Sequence, residues 1–539
     1  MLLMAGRMKR VLAATLVFAA CTDADPYAGD EVKADDGKDD SSALGVFLDA
    51  TFDGKVVVDS SWDDRATIQD HLLFTVGQLN GMTAVGRVDK AELSNIQKTT
   101  VGTKTQLTYT AKLPIIWNKN NAIPHAIDLY MPLDMSASAQ DAFVAKYKDS
   151  CVDWDAHDVD TGSMFYYFRP TASNCKLDAA DYTKSSATLS PSATSTTGKF
   201  PEYDKIWEDN QLNVVAIFGK YTDGATSGDA GIDGFNEFVG AMKSELASHG
   251  LVTTPPTIPS DPGVAMPDIT FDAKLPDGKQ IHVVALLTDN VDAGLQQPAF
   301  RNRYESLSTR ADFIVYNGHA GLGSNIRALA AAGQWVAGQY VVVFMNGCDT
   351  FAYIDGSLSQ AHKAINADDT TGWKYIDMIN NGEPAFFASM AGDSMAVFKA
   401  FENFGSPQTY EQIFAHVDSN QLVMVTGEQD NVFTPGGGGQ PQPWSGLHDH
   451  QTVARSEQKT YSTPTLAAGT YELDITGTGD ADLYVRIGAA PTTTQYDCRP
   501  YKTGSNESCQ VTLAQPAAID VMVRGYGTSS TYDLVGKKL

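Results

Sequence analysis

Two apolar runs, each ending on a chemically reactive side chain, constrain this chain more than anything else in it. Residues 311–321 read Ala-Asp-Phe-Ile-Val-Tyr-Asn-Gly-His-Ala-Gly, with His319 at the tip. Residues 339–350 read Gln-Tyr-Val-Val-Val-Phe-Met-Asn-Gly-Cys-Asp-Thr, with Cys348 at the tip. Continuous apolar runs bounded by Gly predict buried parallel strands, and the stretch 325–332 between them predicts a short helical crossover. Open α/β sheets gather the C-terminal tips of neighbouring strands at one crevice. His319 and Cys348, 29 residues apart, are therefore expected within reach of each other, as a thiol nucleophile and its acid/base partner require.

At 539 residues the chain exceeds a single core, and three or four units are expected. Its net charge of −26 argues against nucleic acid, whose phosphates call for Lys and Arg. At the N-terminus, Arg7, Lys9 and Arg10 precede an apolar stretch over 11–20 and then Cys21. That layout predicts a lipoprotein signal peptide over 1–21 with lipidation at Cys21, and hence export to the bacterial cell envelope or secretion. Membrane contact is expected only through that anchor, and an acidic tether follows over 22–44.

An exported chain meets an oxidising compartment, where nearby cysteines pair. Of six cysteines, Cys151 with Cys175 and Cys498 with Cys509 are the economical pairs. Lipidation takes Cys21, and Cys348 remains outside both pairs as a candidate reactive group.

Patterning predicts several units along the chain. Residues 45–200 mix a period-2 strand at 106–114 with an amphipathic helix at 137–148, an α+β pattern, and a Ser/Thr-rich loop over 185–198. Residues 203–435 alternate strands (212–219, 280–287, the two reactive runs, 385–390) with helices (234–249, 373–379, 410–417), and a Pro-Asp-Gly turn at 276–278 marks a hairpin. That alternation predicts an α/β domain with a mostly parallel sheet. A Gly/Pro-rich linker is placed at 436–455, and short alternating runs over 456–539 predict an all-β sandwich.

Within that last segment, Tyr471-Glu-Leu-Asp, Gly479-Asp-Ala-Asp-Leu-Tyr-Val-Arg486, Tyr496-Asp-Cys-Arg-Pro-Tyr501, Glu507-Ser-Cys509 and Val521-Met-Val-Arg-Gly-Tyr526 resemble the bacterial pre-peptidase C-terminal domain. The resemblance implies an accessory β-sandwich attached to a secreted peptidase. The middle segment is similar to the caspase-like fold of clan CD cysteine peptidases, nearest the gingipain branch, in which the catalytic His and Cys end successive parallel strands. It departs from that pattern in Ala320 after the His and Gly347 before the Cys. The resemblance implies a cysteine endopeptidase cleaving peptides or proteins. Cys348 would attack the carbonyl, His319 would protonate the leaving amine, and the N–H groups of Gly321 and Cys348 would hold the oxyanion, each worth roughly 3–4 kcal/mol.

Asp349 and Asp393 are candidate walls of a pocket for a basic substrate residue. There is neither a His-Glu-x-x-His zinc motif nor a Gly-x-Ser-x-Gly elbow, and no cofactor is expected. Calcium as a structural ion is conceivable at Asp153, Asp155, Asp158 and Asp160, or at Asp480 and Asp482, although acidic turns explain both groups. His448 and His450 read as a solvated loop. The competing reading is a catalytically silent surface lipoprotein that binds protein or polysaccharide through its sandwich.

Overall fold

The computed structural model describes residues 40–42, 44–154, 156, 159–192, 197–435, 444–488, 490–513 and 517–539. The signal peptide with Cys21, the tether as far as residue 39, residues 436–443 of the linker, and Asp155, His157 and Asp158 lie outside the described residues.

A nine-stranded sheet forms the centre of the molecule. Its order is Asp40–Ser42, Val423–Thr426, Ile376–Asn381, Val341–Asn346, Phe313–Asn317, Gln211–Gly219, Gln280–Thr288, Asp268–Lys274 and Val252–Thr254. The five middle strands, Ile376–Asn381 through Gln280–Thr288, pair in parallel. Both margins are antiparallel, so the sheet expected to be mostly parallel is a mixed one. The middle strands are largely apolar because both of their faces are covered, with Ile376–Asn381 the exception in carrying Asp377, Asn380 and Asn381. On one face lie the helices Ala230–Leu246 and Phe387–Glu402, with Phe235, Phe238, Phe398 and Phe401 buried against Val214, Phe313 and Phe344. Fully burying an aliphatic or aromatic side chain of this kind contributes about 1.5–3 kcal/mol.

On the other face the helices Ser324–Ala332 and Ser357–Ile365 share a core with the N-terminal region. That region has a six-stranded sheet, ordered Ala84–Gly86, Lys104–Asn118, Gly45–Val58, Tyr182–Pro191 and Ala126–Pro132, with Glu92–Val101 also paired to Lys104–Asn118. One buried cluster runs without a break from Leu113 and Val85 to Met345, Phe351 and Met424. At the C-terminus a four-stranded and a three-stranded sheet enclose a separate core around Leu473, Leu483, Val523 and Leu534. The protein is thus multidomain, strand-rich, and closed by a β-sandwich.

Several local expectations need correction. Residues 373–379 were expected as a helix, yet Ile376–Asn381 is a strand buried along its whole length. Its polar members Asp377 and Asn381 find partners inside the protein. Residues 385–390 were expected as a strand, whereas Phe387–Glu402 is one helix rich in Ala, Met and other good helix formers. The first part of the Ser/Thr-rich stretch, expected as a loop, belongs to the strand Tyr182–Pro191, stabilised by pairing with Ala126–Pro132 and by the Ser185 hydroxyl donating to Asp53 O at 2.6 Å. The last residues of the tether, Asp40–Ser42, extend the central sheet, and Leu447–Ala454 within the linker pairs with Ser529–Lys538.

Candidate functional site: the strand-tip crevice

The strands Phe313–Asn317 and Val341–Asn346 run in register, with Asn317 opposite Asn346. Beyond the ladder, Gly318 N–H donates to Asn346 O at 3.1 Å. A Cβ on Gly347 would lie 2.7 Å from Gly318 O and 3.2 Å from Ala320 N, so only glycine lets the two tips close this tightly. His319 and Cys348 thus follow neighbouring parallel strands, one residue beyond each glycine. The Asn325 amide, in the first turn of the next helix, donates to His319 O at 2.7 Å and fixes the turn.

The His319 side chain is exposed, and its Nε2 lies 2.8 Å from Tyr221 O. A carbonyl oxygen only accepts, so Nε2 carries the hydrogen and Nδ1 of the neutral ring holds the lone pair. The ring packs against Tyr221 at 5.3 Å and Phe387 at 5.2 Å between centroids, and these two also meet at 5.3 Å. Tyr221 follows the Gln211–Gly219 strand on a loop pinned by Asp229. That carboxylate accepts from the N–H groups of Tyr221, Thr222, Gly231 and Ile232 and also caps the helix Ala230–Leu246. Burial pushes the Asp229 pKa up, but these donors outweigh it and hold the carboxyl below its usual range. Asp289 secures the same loop through Gly224 N–H at 3.0 Å and Lys220 at 2.7 Å.

Cys348 is half-buried, with its Sγ 3.8 Å from Ala385 O. The residue after it, Asp349, is buried and adopts a left-handed backbone at φ 52°. Its carboxylate accepts from the Asn80 amide at 2.5 Å, and Arg169 holds that amide's oxygen at 2.9 Å while pairing with Asp153 at 2.7 Å. Burial pushes Asp349 up to about 7 despite hydrogen bonds from Asn80 and Tyr166 and the nearby charge of Arg169. Asp393 is likewise buried, accepting from Asp418 N–H at 2.9 Å and Gln421 at 2.6 Å, and burial pushes it up to about 6. Both carboxylates, expected at a pocket for a basic residue, are turned into internal hydrogen bonds instead. Beneath the crevice a buried amide chain runs from Asn317 through Asn346 and Asn381 to Gln421 and Asp393.

Sequence reasoning missed Tyr221, Phe387 and the Asn80–Arg169 clasp. The first carried a signal, since Tyr221 follows the tip of the strand next to the histidine strand. Asn80 carried none, because its partner lies 269 residues away in sequence.

Disulfides join Cys151 to Cys175 and Cys498 to Cys509. In the sandwich, Asp480 accepts from Gly504 N–H at 2.7 Å and Asp482 pairs with Arg499 at 2.9 Å. The His448 and His450 region, expected as a loop, is the strand Leu447–Ala454, where His450 meets Asp533 at 2.6 Å. Among the described residues no three His, Cys, Asp or Glu side chains gather into a group able to hold a metal ion.

Residues 459–525 match the family model of the bacterial pre-peptidase C-terminal domain. Among similar proteins, the virulence metalloprotease of Vibrio anguillarum is 35% identical over 118 residues, 22% of this chain and 18% of that protein. The zinc metalloprotease of Helicobacter pylori is 40% identical over 78 residues, 14% and 30% of the two chains. The alkaline serine exoprotease A of Vibrio alginolyticus is 52% identical over 54 residues, 10% of each. This chain spans less than a third of the length of each of these relatives. Residues 459–525 of the C-terminal unit are thus a bacterial pre-peptidase C-terminal domain. These relatives correct the expectation of a cysteine-type endopeptidase: the chemistries in their names are metallo and serine. The metal implied by the metalloprotease names finds no fitting ligand group among the described residues here.

Proposed function

We propose that this protein is an exported peptidase acting on peptide or protein substrates at the strand-tip crevice, with the C-terminal sandwich as an accessory module. The observation that carries this reading is the exposed His319, oriented by Tyr221 O on a pinned loop at the meeting point of the parallel strands. With Nε2–H held by that carbonyl, Nδ1 takes a proton from a water whose oxygen bonds to the peptide carbonyl carbon, and gives it to the amine nitrogen as the C–N bond breaks, leaving a carboxylic acid and a free amine. Export proceeds through the N-terminal signal segment, with a lipid anchor at Cys21.

The test is hydrolysis of a mixed peptide library by residues 22–539. His319→Ala is expected to lower kcat/KM by about 10²–10⁴-fold with an unchanged melting temperature. Equal activity in wild type and variant would remove the crevice as the site. No hydrolysis by either, before and after limited proteolysis, would favour a surface protein that binds protein or polysaccharide through its sandwich.

A further inference from the structure

Two aromatic side chains at the crevice are held out toward water. Tyr221 is 59% exposed and Phe386 is 50% exposed. Neither is a loose surface residue. The Tyr221 loop is fixed by Asp229 and Asp289, and the tyrosine ring rests on the His319 imidazole. Phe386 stands between Ala385, whose carbonyl lies 3.8 Å from Cys348 Sγ, and Phe387, whose ring packs on His319. Phe386 thus sits, in sequence, between the residue that approaches Cys348 and the residue that packs on His319, while Tyr221 covers the His319 ring directly. Apolar surface presented by a rigid frame beside polar groups marks a place where a ligand is meant to cover it. Asp349 and Asp393 are buried and bonded internally, so neither offers itself to a cationic side chain.

We propose that the crevice selects its peptides by an apolar, above all aromatic, side chain that packs against Tyr221 and Phe386 next to the bond presented to His319. This rests on the crevice being the peptide site. Aromatic rings meet edge-to-face or offset, the geometry already adopted by Tyr221, Phe387 and His319, so an incoming ring extends an existing cluster.

The experiment uses a peptide set varied at a single position through Phe, Leu, Ala, Lys and Asp, read both as kcat/KM and as equilibrium binding by fluorescence anisotropy. Wild type is expected to favour Phe over Ala, and over Lys and Asp, by about tenfold or more. Phe386→Ala and Tyr221→Ala are expected to reduce the Phe-to-Ala ratio severalfold, whereas Tyr221→Phe, which keeps the ring, preserves it. A preference for Lys or Asp, or a ratio unchanged in both alanine variants, would overturn the proposal. Aromatic-selective binding without hydrolysis, lost in Phe386→Ala, would uphold the selectivity and remove the peptidase reading. Hydrolysis with no preference at that position would do the reverse, and neither binding nor hydrolysis would remove both.

Discussion

Gly347 shows how much depends on one missing methyl group. In Gly347→Ala the new Cβ meets the Gly318 carbonyl at 2.7 Å, a backbone atom that cannot swing aside, so the two tips must part. The expected cost is about 1–3 kcal/mol, measured by denaturant titration, with a larger loss of peptide hydrolysis than of fold. The sequence made His319 and Cys348 legible because apolar runs followed by Gly advertise strand tips. It misled at Asp349 and Asp393. A carboxylate beside a reactive residue looks like a specificity group, and nothing local shows that Asn80 and Gln421 will claim it. Asn80→Ala leaves the buried Asp349 carboxylate short of a donor and is expected to destabilise the protein by about 1–3 kcal/mol in denaturant melts, more at pH 8 than at pH 5.

Among the elements, the helix Ala230–Leu246 links fold and site through its cap. Asp229 satisfies the first N–H groups of that helix and those of the loop that carries Tyr221. Asp229→Ala is expected to cost about 1 kcal/mol, or up to ~2, of stability through the lost cap. Its effect on kcat/KM should exceed what that loss explains, because the loop that orients His319 loosens. Asp229→Asn, which retains an accepting oxygen, should recover most of the stability, and paired thermal melts and kinetics check both expectations. The parallel strands and their helices were readable from apolar continuity and 3.6-residue spacing. The exchange of helix and strand around residues 373–390 was not, because burial of Asp377 and Asn381 among tyrosine and amide partners is decided by distant residues. The short edge strand Asp40–Ser42 was hidden within an acidic run, since three residues of pairing leave no periodicity to read.

For the whole molecule, buried carboxyls set the response to pH. Burial raises Asp349, Glu202 and Glu402 to about 7 and Asp377 and Asp393 to about 6. Each binds its proton more tightly folded than unfolded, so its contribution is fully present below its unfolded pKa and is lost as pH rises through 6 to 7. Asp229 and Asp289 are depressed, burial being outweighed by N–H donors at the first and by Lys220 and the Gly224 N–H at the second, and their contribution is lost as pH falls below the usual carboxylate range. The melting temperature is therefore expected to peak near about pH 5 and decline toward pH 8, and Asp349→Asn should flatten part of that decline. The sandwich was the most legible unit, its motifs lying within one contiguous stretch. The contact between the N-terminal sheet and the central sheet was invisible, since neither surface carries a pattern distinct from ordinary core. That contact is a continuous apolar cluster from Leu113 and Val85 to Met345 and Met424. Cleavage of the chain between the strands Tyr182–Pro191 and Gln211–Gly219 would therefore release no fragment: the two pieces should migrate together on gel filtration and separate only in denaturant, as a noncovalent heterodimer made from one gene product.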